Sequence, residues 1–426
     1  MTTSNLTNRK ILLFWYPLLL TWLMMAIEGP YLAAIIARLP QSKYNLAAFG
    51  VSFSFALIIE APVIMLMSAS IALIKGASSF RRLRSFTVAL NIGITMLNLI
   101  FLIPPVFSLV TVRLIGLEKP IADLVYQTSI CLLPWAPAIG YRRFYQGLMI
   151  KAHQTRKVTF GTIFRLLSMS VTALLLTLFS NLHGAVIGGV SLSTGVVFEA
   201  VATRLLVSET RKRTLGTKES GPLIPFSEII SFYTPLALTS IIGLSVRPAI
   251  VFFMGQSRMA LETLAVLPII NALLFIFAAI GLSFQEVGVA LMGEQMENKV
   301  KVRTFALGIA TLVCLAYALI ALTPFSSVWF QSISGLSDEL TEFAIPPAQF
   351  LILMPWLSVY LSYQRSLMVN MRATRFISRA SAIEVVGIIL ALILTINFMD
   401  LIGAIAASIA LTSGRLMSTT YLQWKS

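Results

Sequence analysis

Charge is scarce in this chain, and histidine and cysteine are scarcer. Of its 426 residues only 12% are Asp, Glu, Lys or Arg, and 57% are apolar, whereas a soluble domain is about a quarter charged and about 45–50% apolar. The two histidines, His153 and His183, and the two cysteines, Cys131 and Cys314, supply no metal-ligand spacing, no CxxC pair and no disulfide framework. Each cysteine sits alone in an apolar run and reads as a packing residue, and both histidines fall in loops or at span ends, where water solvates them. No GxxxxGK followed by Ser or Thr occurs, which removes direct ATP hydrolysis. No HExxH and no nucleophile with a histidine base occurs either, so no enzyme, no metal and no resident cofactor are expected.

What is present is apolar length. A bilayer-crossing helix takes about 20 mostly apolar residues, and such runs follow one another at 11–38, 45–74, 85–108, 120–145, 158–180, 183–207, 227–253, 261–293, 304–326, 340–363, 376–399 and 401–421. Membrane β-strands are about 10 residues long and alternate strictly; NLAAFGVSFSFALIIEAPVIMLMSASIALI (45–74) does not alternate. The expectation is an all-α polytopic membrane protein of twelve transmembrane helices. The polar opening MTTSNLTNRK precedes a run too long for a signal-peptide core, so the first run is expected to be a permanent span.

The net charge of +15 comes from 32 Lys and Arg against 17 Asp and Glu. Most of the bases lie in breaks between runs, so they orient the chain instead of forming a nucleic-acid face, and no nucleic-acid partner is expected. One side carries Arg9, Lys10, Lys75, Arg81, Arg82, Arg84, Lys151, Arg156, Lys157, Arg211, Lys212, Arg213, Lys218, Lys299, Lys301, Arg303, Arg372, Arg375, Arg379 and Lys425; the other carries Arg38, Lys43, Arg113, Lys119 and Arg258 among acids. Both termini are expected on the cytoplasmic side of the inner membrane.

The chain also repeats. A shift of 218 lays FWYPLLLT (14–21) on FYTPLALT (232–239), with Pro17 on Pro235, Thr21 on Thr239 and Pro30 on Pro248. Later anchors keep the order: Arg84-x-Phe86 with Arg303-x-Phe305, Pro134-Trp135 with Pro355-Trp356, Tyr141-x-Arg143 with Tyr363-x-Arg365, and GAVIGGVSLSTG (184–195) with GAIAASIALTSG (403–414). The hydrophilic stretch 208–226, SETRKRTLGTKESGPLIPF, divides an N-terminal six-helix lobe, 1–207, from a C-terminal one, 227–426. An even number of spans per half makes the repeats parallel, related by a pseudo-twofold axis along the membrane normal.

The stretches SFYTPLALTSIIGLSVRPAIVFFMG (231–255), ETLAVL (262–267) and NLAAFGVSFSFALIIEAPV (45–63) resemble the progressive ankylosis (ANK) family of membrane transporters. RRFYQGLMIKAHQTR (142–156), with the Gly-Ala opening of the sixth and twelfth spans, is similar to the wider superfamily of multidrug-extrusion (MATE) proteins and of polysaccharide or lipid-intermediate flippases. The resemblance covers nearly the whole chain and implies two lobes around a cavity that opens alternately to each side. Its ANK branch implies efflux of small anions of the citrate, ATP or pyrophosphate class. Its MATE branch implies proton- or sodium-coupled export of cationic drugs, the alternative reading.

Ionisable residues at bilayer depth are costly and mark candidate sites. Those here are Glu28, Glu60, Arg165, Glu199, Arg247, Glu286 with neighbouring Gln285, and Glu384. Glu28 lies about 25 Å into the first span, and its repeat position falls beside Arg247, so an acid and a base are expected at near-equivalent places. Each stands next to a helix-bending proline, Pro30 or Pro248, and Pro62 follows Glu60; these three are candidate hinges. A carboxylate such as Glu60 suits a coupling proton or sodium ion. Arg142, Arg143 and Arg365 are expected to close the fourth and tenth spans at the cytoplasmic face, as a funnel for a polyanion that bidentate guanidinium would hold. The chain is thus expected to be a monomeric secondary transporter of a small-molecule substrate, with the bilayer as its other partner.

Overall fold

The computed structural model describes residues 6–36, 38–114, 117, 119–217, 224–255, 257–293, 295–334 and 336–425, and they are almost wholly helical. In order they are α1 (Asn8–Ile36), α2 (Ser42–Glu60), α3 (Leu66–Leu73), α4 (Ala77–Phe101), α5 (Pro104–Ser108), α6 (Lys119–Cys131), α7 (Trp135–Lys151), α8 (Thr155–Phe179) and α9 (Gly184–Leu206). After these come α10 (Ser208–Gly216), α11 (Phe226–Gly255), α12 (Ala260–Leu291), α13 (Lys299–Leu322), α14 (Phe325–Ser327), α15 (Asp338–Phe350), α16 (Met354–Asn370), α17 (Arg375–Ile393) and α18 (Gly403–Lys425). Among the described residues the only bridge of β type joins Arg258 to Ile402. Helix is what a chain must form in hydrocarbon, where each backbone N–H and C=O has to find its partner within the segment.

A helical rod stands at each of the twelve apolar runs. Among the described residues nine stretches suffice by length and composition to cross a membrane, and the pair α15–α16, bent by 40°, makes a tenth. The pair α6–α7 and the helix α18 fall outside that tally because of polar content. α7 carries Arg142, Arg143, Gln146 and Lys151, and α18 carries Arg415 amid Ser and Thr. Prolines set the breaks. Pro62 enters a 3-10 turn at Ala61–Val63 between α2 and α3, and Pro134 and Pro355 open α7 and α16 after the gaps that end α6 and α15, since proline offers no N–H to the preceding turn.

Two span ends differ from the sequence reading. The fourth run was expected to close at Arg142-Arg143, yet α7 continues to Lys151, about 13 Å beyond Arg142. In the same way α16 runs past Arg365 to Asn370. These arginines therefore lie inside helices and not at their ends. The stretch 208–226 is also not all linker: its first part is α10, while 218–223 lie outside the described residues.

By contact the chain forms two compact units, one of Met24–Ser240 and one of Met1–Leu23 with Ile241–Ser426. The helices α1 and α11 each begin in one unit and end in the other. In the first unit Phe80 packs on Phe144 and Tyr145, and Gly147 lets α7 approach α3 so closely that a Cβ there would sit 2.6 Å from the Met67 carbonyl oxygen. In the second, Val266, Ile270, Tyr317, Phe330, Leu351 and Ala404 form the core. The faces left exposed are apolar, as on α8 (Phe164, Leu167, Leu174, Leu178) and α13 (Leu312, Leu315, Leu319), which suits lipid contact.

The repeat recurs in atomic detail. Asn45 Oδ1 accepts from the Ala185 N–H at 3.0 Å at the start of α9, and Thr263 Oγ1 accepts from the Ala404 N–H at 3.2 Å at the start of α18. Thr21 donates to the Pro17 carbonyl at 3.0 Å, and Thr239 to the Pro235 carbonyl at 2.8 Å. A π-helical turn follows α5 at Leu109–Leu114 and another follows α14 at Val328–Ile333. The leading segments of α1 and α11 are anchored alike: Trp15 Nε1 donates to Ser283 Oγ at 2.8 Å and meets Phe305 edge-on at 6.2 Å, while Tyr233 donates to the Pro62 carbonyl and meets Phe86 edge-on at 5.1 Å.

Candidate functional site

In the unit Met24–Ser240 the buried charges meet in one cluster. Small residues allow it: a Cβ on Gly195 would stand 3.1 Å from the Arg165 carbonyl oxygen, so α9 can lie against α8, and Gly161 opens onto Glu199. Glu199, fully buried, is the hub. Its Oε1 accepts from Arg142 Nη1 at 3.0 Å, from Gln146 Nε2 at 3.1 Å and from Thr162 Oγ1 at 3.1 Å, and its Oε2 lies 3.5 Å from Arg165 Nη1. Arg165 turns its other terminal nitrogen to Glu28 Oε2. Two cations thus bracket Glu199, and one of them, Arg165, also pairs with Glu28; taking such ions out of water is costly without this degree of pairing.

Three carboxylate oxygens in this unit are buried without a hydrogen-bond donor among the described residues, Glu28 Oε1, Glu60 Oε2 and Glu199 Oε2, the last of them 3.5 Å from Arg165 Nη1. Glu60 ends α2 immediately before the Pro62 turn and is 6% exposed. Arg143 is also buried, on α7. An unpaired buried acceptor of this kind is where a proton, a cation or a water finds its place.

The other unit holds a second, smaller cluster. Arg415 Nε lies 2.7 Å from Glu384 Oε1, and its Nη1 is 3.1 Å from Ser358 Oγ. Arg365 Nη2 donates to Ser381 Oγ at 3.2 Å, and its Nε is buried without a partner. Gln364 donates to the Thr419 carbonyl at 2.9 Å. Gln285 and Glu286 are buried on α12 of the same unit.

Under the repeat register Arg165 and Glu384 coincide at a shift of 219, and Arg415 lies one turn from the position matching Glu199. The two units therefore carry the same kind of ion pair with its signs exchanged between helices. The Arg142–Glu199 bond, between α7 and α9, corresponds to the Gln364–Thr419 bond between α16 and α18. The structure brings together Glu28, Arg142, Arg165 and Glu199 in one unit, and places Glu384 beside Arg415 in the other. Arg247 and Pro248 are in α11 and Pro30 in α1, but their side chains lie outside the described residues. Sequence reasoning missed Arg415, although a lone arginine inside the last apolar run carries the same signal as Glu384. It also missed Gln146, Thr162 and Gln364, whose neutral side chains carry no such signal.

No family model and no curated protein matches the chain. Solved structures do. A mutant MATE transporter from Vibrio cholerae aligns at a TM-score of 0.76 with 14% identity, over 98% of this chain and 95% of its own. A eukaryotic MATE transporter gives 0.76, 14%, 98% and 95%. A transporter of the superfamily that includes MATE proteins, from Pyrococcus furiosus, gives 0.74, 14%, 98% and 95%, and is described as having a binding pocket of reverse polarity that suggests a different function. At such identities the likeness speaks for architecture: the chain is an all-helical, multi-pass membrane protein with the fold of MATE transporters.

Proposed function

We propose that the chain is a secondary transporter that works by alternating access, with lobes 1–207 and 227–426, both termini in the cytoplasm, and a small organic or phosphate-bearing anion as cargo. The observation that carries the anion reading is Arg365. Its guanidinium sits within the helical unit and donates to the Ser381 hydroxyl, with no carboxylate in salt-bridge contact among the described residues. Guanidinium is a planar five-donor group suited to carboxylate and phosphate, and one whose Nε has no partner is, inside a transporter fold, a point of attraction for such a cargo. The reverse pocket polarity described for the Pyrococcus furiosus neighbour, said to suggest a different function, adds support, since it sets a change of pocket charge within the same fold.

Glu60 favours a second reading. A buried carboxylate oxygen without a donor suits a coupling proton or sodium ion, or a cationic drug exchanged for one. The two readings separate in proteoliposomes loaded with labelled citrate or ATP in one set and ethidium in another. Anion flux that falls at least about tenfold in Arg365→Gln and persists in Glu60→Gln supports the proposal. Ethidium flux lost in Glu60→Gln, with no anion flux in the wild type, overturns it in favour of cation export. The expected size follows from losing one charge-assisted bond pair to the cargo.

A further inference from the structure

Several basic side chains near the ends of helices find an acceptor. Arg82 donates to the Ile224 carbonyl at 2.7 Å, and Lys157 donates to the Leu206 carbonyl at 3.3 Å. In the first half of the chain the corner where α8 begins and α9 ends is covered by α10, whose Thr210 donates to Gln154 Oε1 at 2.8 Å. The repeat-equivalent corner of the second half, where α17 begins and α18 ends, is built differently. Position 157 is Lys in the first half and Phe376 in the second, and cations gather around that ring.

The guanidinium of Arg375 lies 5.1 Å from the centroid of Phe376, that of Arg379 5.9 Å, and the ammonium of Lys425 5.8 Å. The ring's negative face attracts each of them but neutralises none. Arg375 and Arg379 are one helical turn apart, a like-charge pair that weakens a helix. Among the described residues none of the three has a carboxylate partner, and the first turn of α17 holds no acid. The helix start adds its own partial positive charge. Beside them Trp424 is 76% exposed, with Lys425 3.6 Å over its ring. An exposed indole next to bases is the arrangement of a side chain that rests at the boundary between hydrocarbon and headgroups.

We propose that this corner, made by Arg375, Phe376, Arg379, Trp424 and Lys425, binds the phosphate headgroup of one anionic phospholipid. The phosphate supplies the missing negative charge between the three cations, and the acyl chains run along the indole. The lipid is favoured over a free anion because the cations share their site with an exposed apolar ring, which water-borne phosphate has no means to cover.

The test is native mass spectrometry of the full chain purified in a neutral detergent and titrated with phosphatidylglycerol or with phosphatidylcholine of the same acyl chains. The wild type is expected to retain one phosphatidylglycerol more tightly than phosphatidylcholine. Arg375→Gln with Arg379→Gln is expected to weaken that retention at least about tenfold. Lys299→Gln with Lys301→Gln, which removes the same charge from the start of α13, leaves it unchanged. Equal weakening by both double variants means diffuse attraction and overturns the proposal. Displacement of phosphatidylglycerol by millimolar inorganic phosphate, with phosphate adducts at the same site, overturns the lipid in favour of a free anion. Should the arginine pair prove unstable, Lys425→Gln is read in its place, with a smaller loss of the same sign.

Discussion

At the scale of residues, Glu199 carries the most consequence. It accepts from Arg142, Gln146 and Thr162 and faces Arg165, so its removal strands the buried Arg142 guanidinium and leaves Arg165 with Glu28 alone. Glu199→Ala is expected to destabilise the protein by about 3–5 kcal/mol, because breaking one side of a buried ion pair leaves the other uncompensated. Thermal unfolding of the detergent-purified protein checks this, and Glu199→Ala combined with Arg142→Met should cost less than Glu199→Ala alone. The depth of these charges was legible, since each sits inside an apolar run. The pairing was not, because the partner of Glu28 lies on α8, far along the sequence. Nor was the true setting of Arg142: an apolar run that ends in arginines looks finished, but a carboxylate from another helix lets the helix continue through them.

At the scale of elements, the rods themselves were legible because hydrocarbon leaves a chain little choice but helix. The π turns at Leu109–Leu114 and Val328–Ile333 were not, since neither composition nor period marks a widened turn. The tie between the second and last helices of each half was also hidden, because Asn45 and Thr263 differ in chemistry while doing the same work. Each satisfies a backbone N–H in the first turn of a helix, a group with no partner of its own. Asn45→Ala and Thr263→Ala are each expected to cost about 1 kcal/mol. Hydrogen exchange should show the loss locally, with faster exchange at Ala185 in the first variant and at Ala404 in the second, and neither change crossing to the other half.

At the scale of the whole molecule, the basic loops make a directional prediction. With Cys131→Ser and Cys314→Ser as background, His153→Cys lies in the loop before α8 and Asn181→Cys in the loop after it. An impermeant maleimide applied to intact cells is expected to label Asn181→Cys, and to reach His153→Cys only once the membrane is opened. Labelling in the opposite order would reverse the assigned orientation. The sequence repeat made the two-half plan legible, but not that the contact boundaries fall within α1 and α11, at Leu23 and Ser240, because a continuous apolar helix shows no seam. Yet each of these helices carries a proline just ahead of its seam. Pro17 and Pro235 withhold one rung from the helical ladder, and the hydroxyls of Thr21 and Thr239 draw a carbonyl of the same turn aside, a combination that makes a helix easy to bend there and stiff elsewhere. Bending of either helix would then gather at one matched point in its backbone, as paper bends along a score, while the aromatic anchors Trp15 and Tyr233 hold the leading segment of each helix in its place.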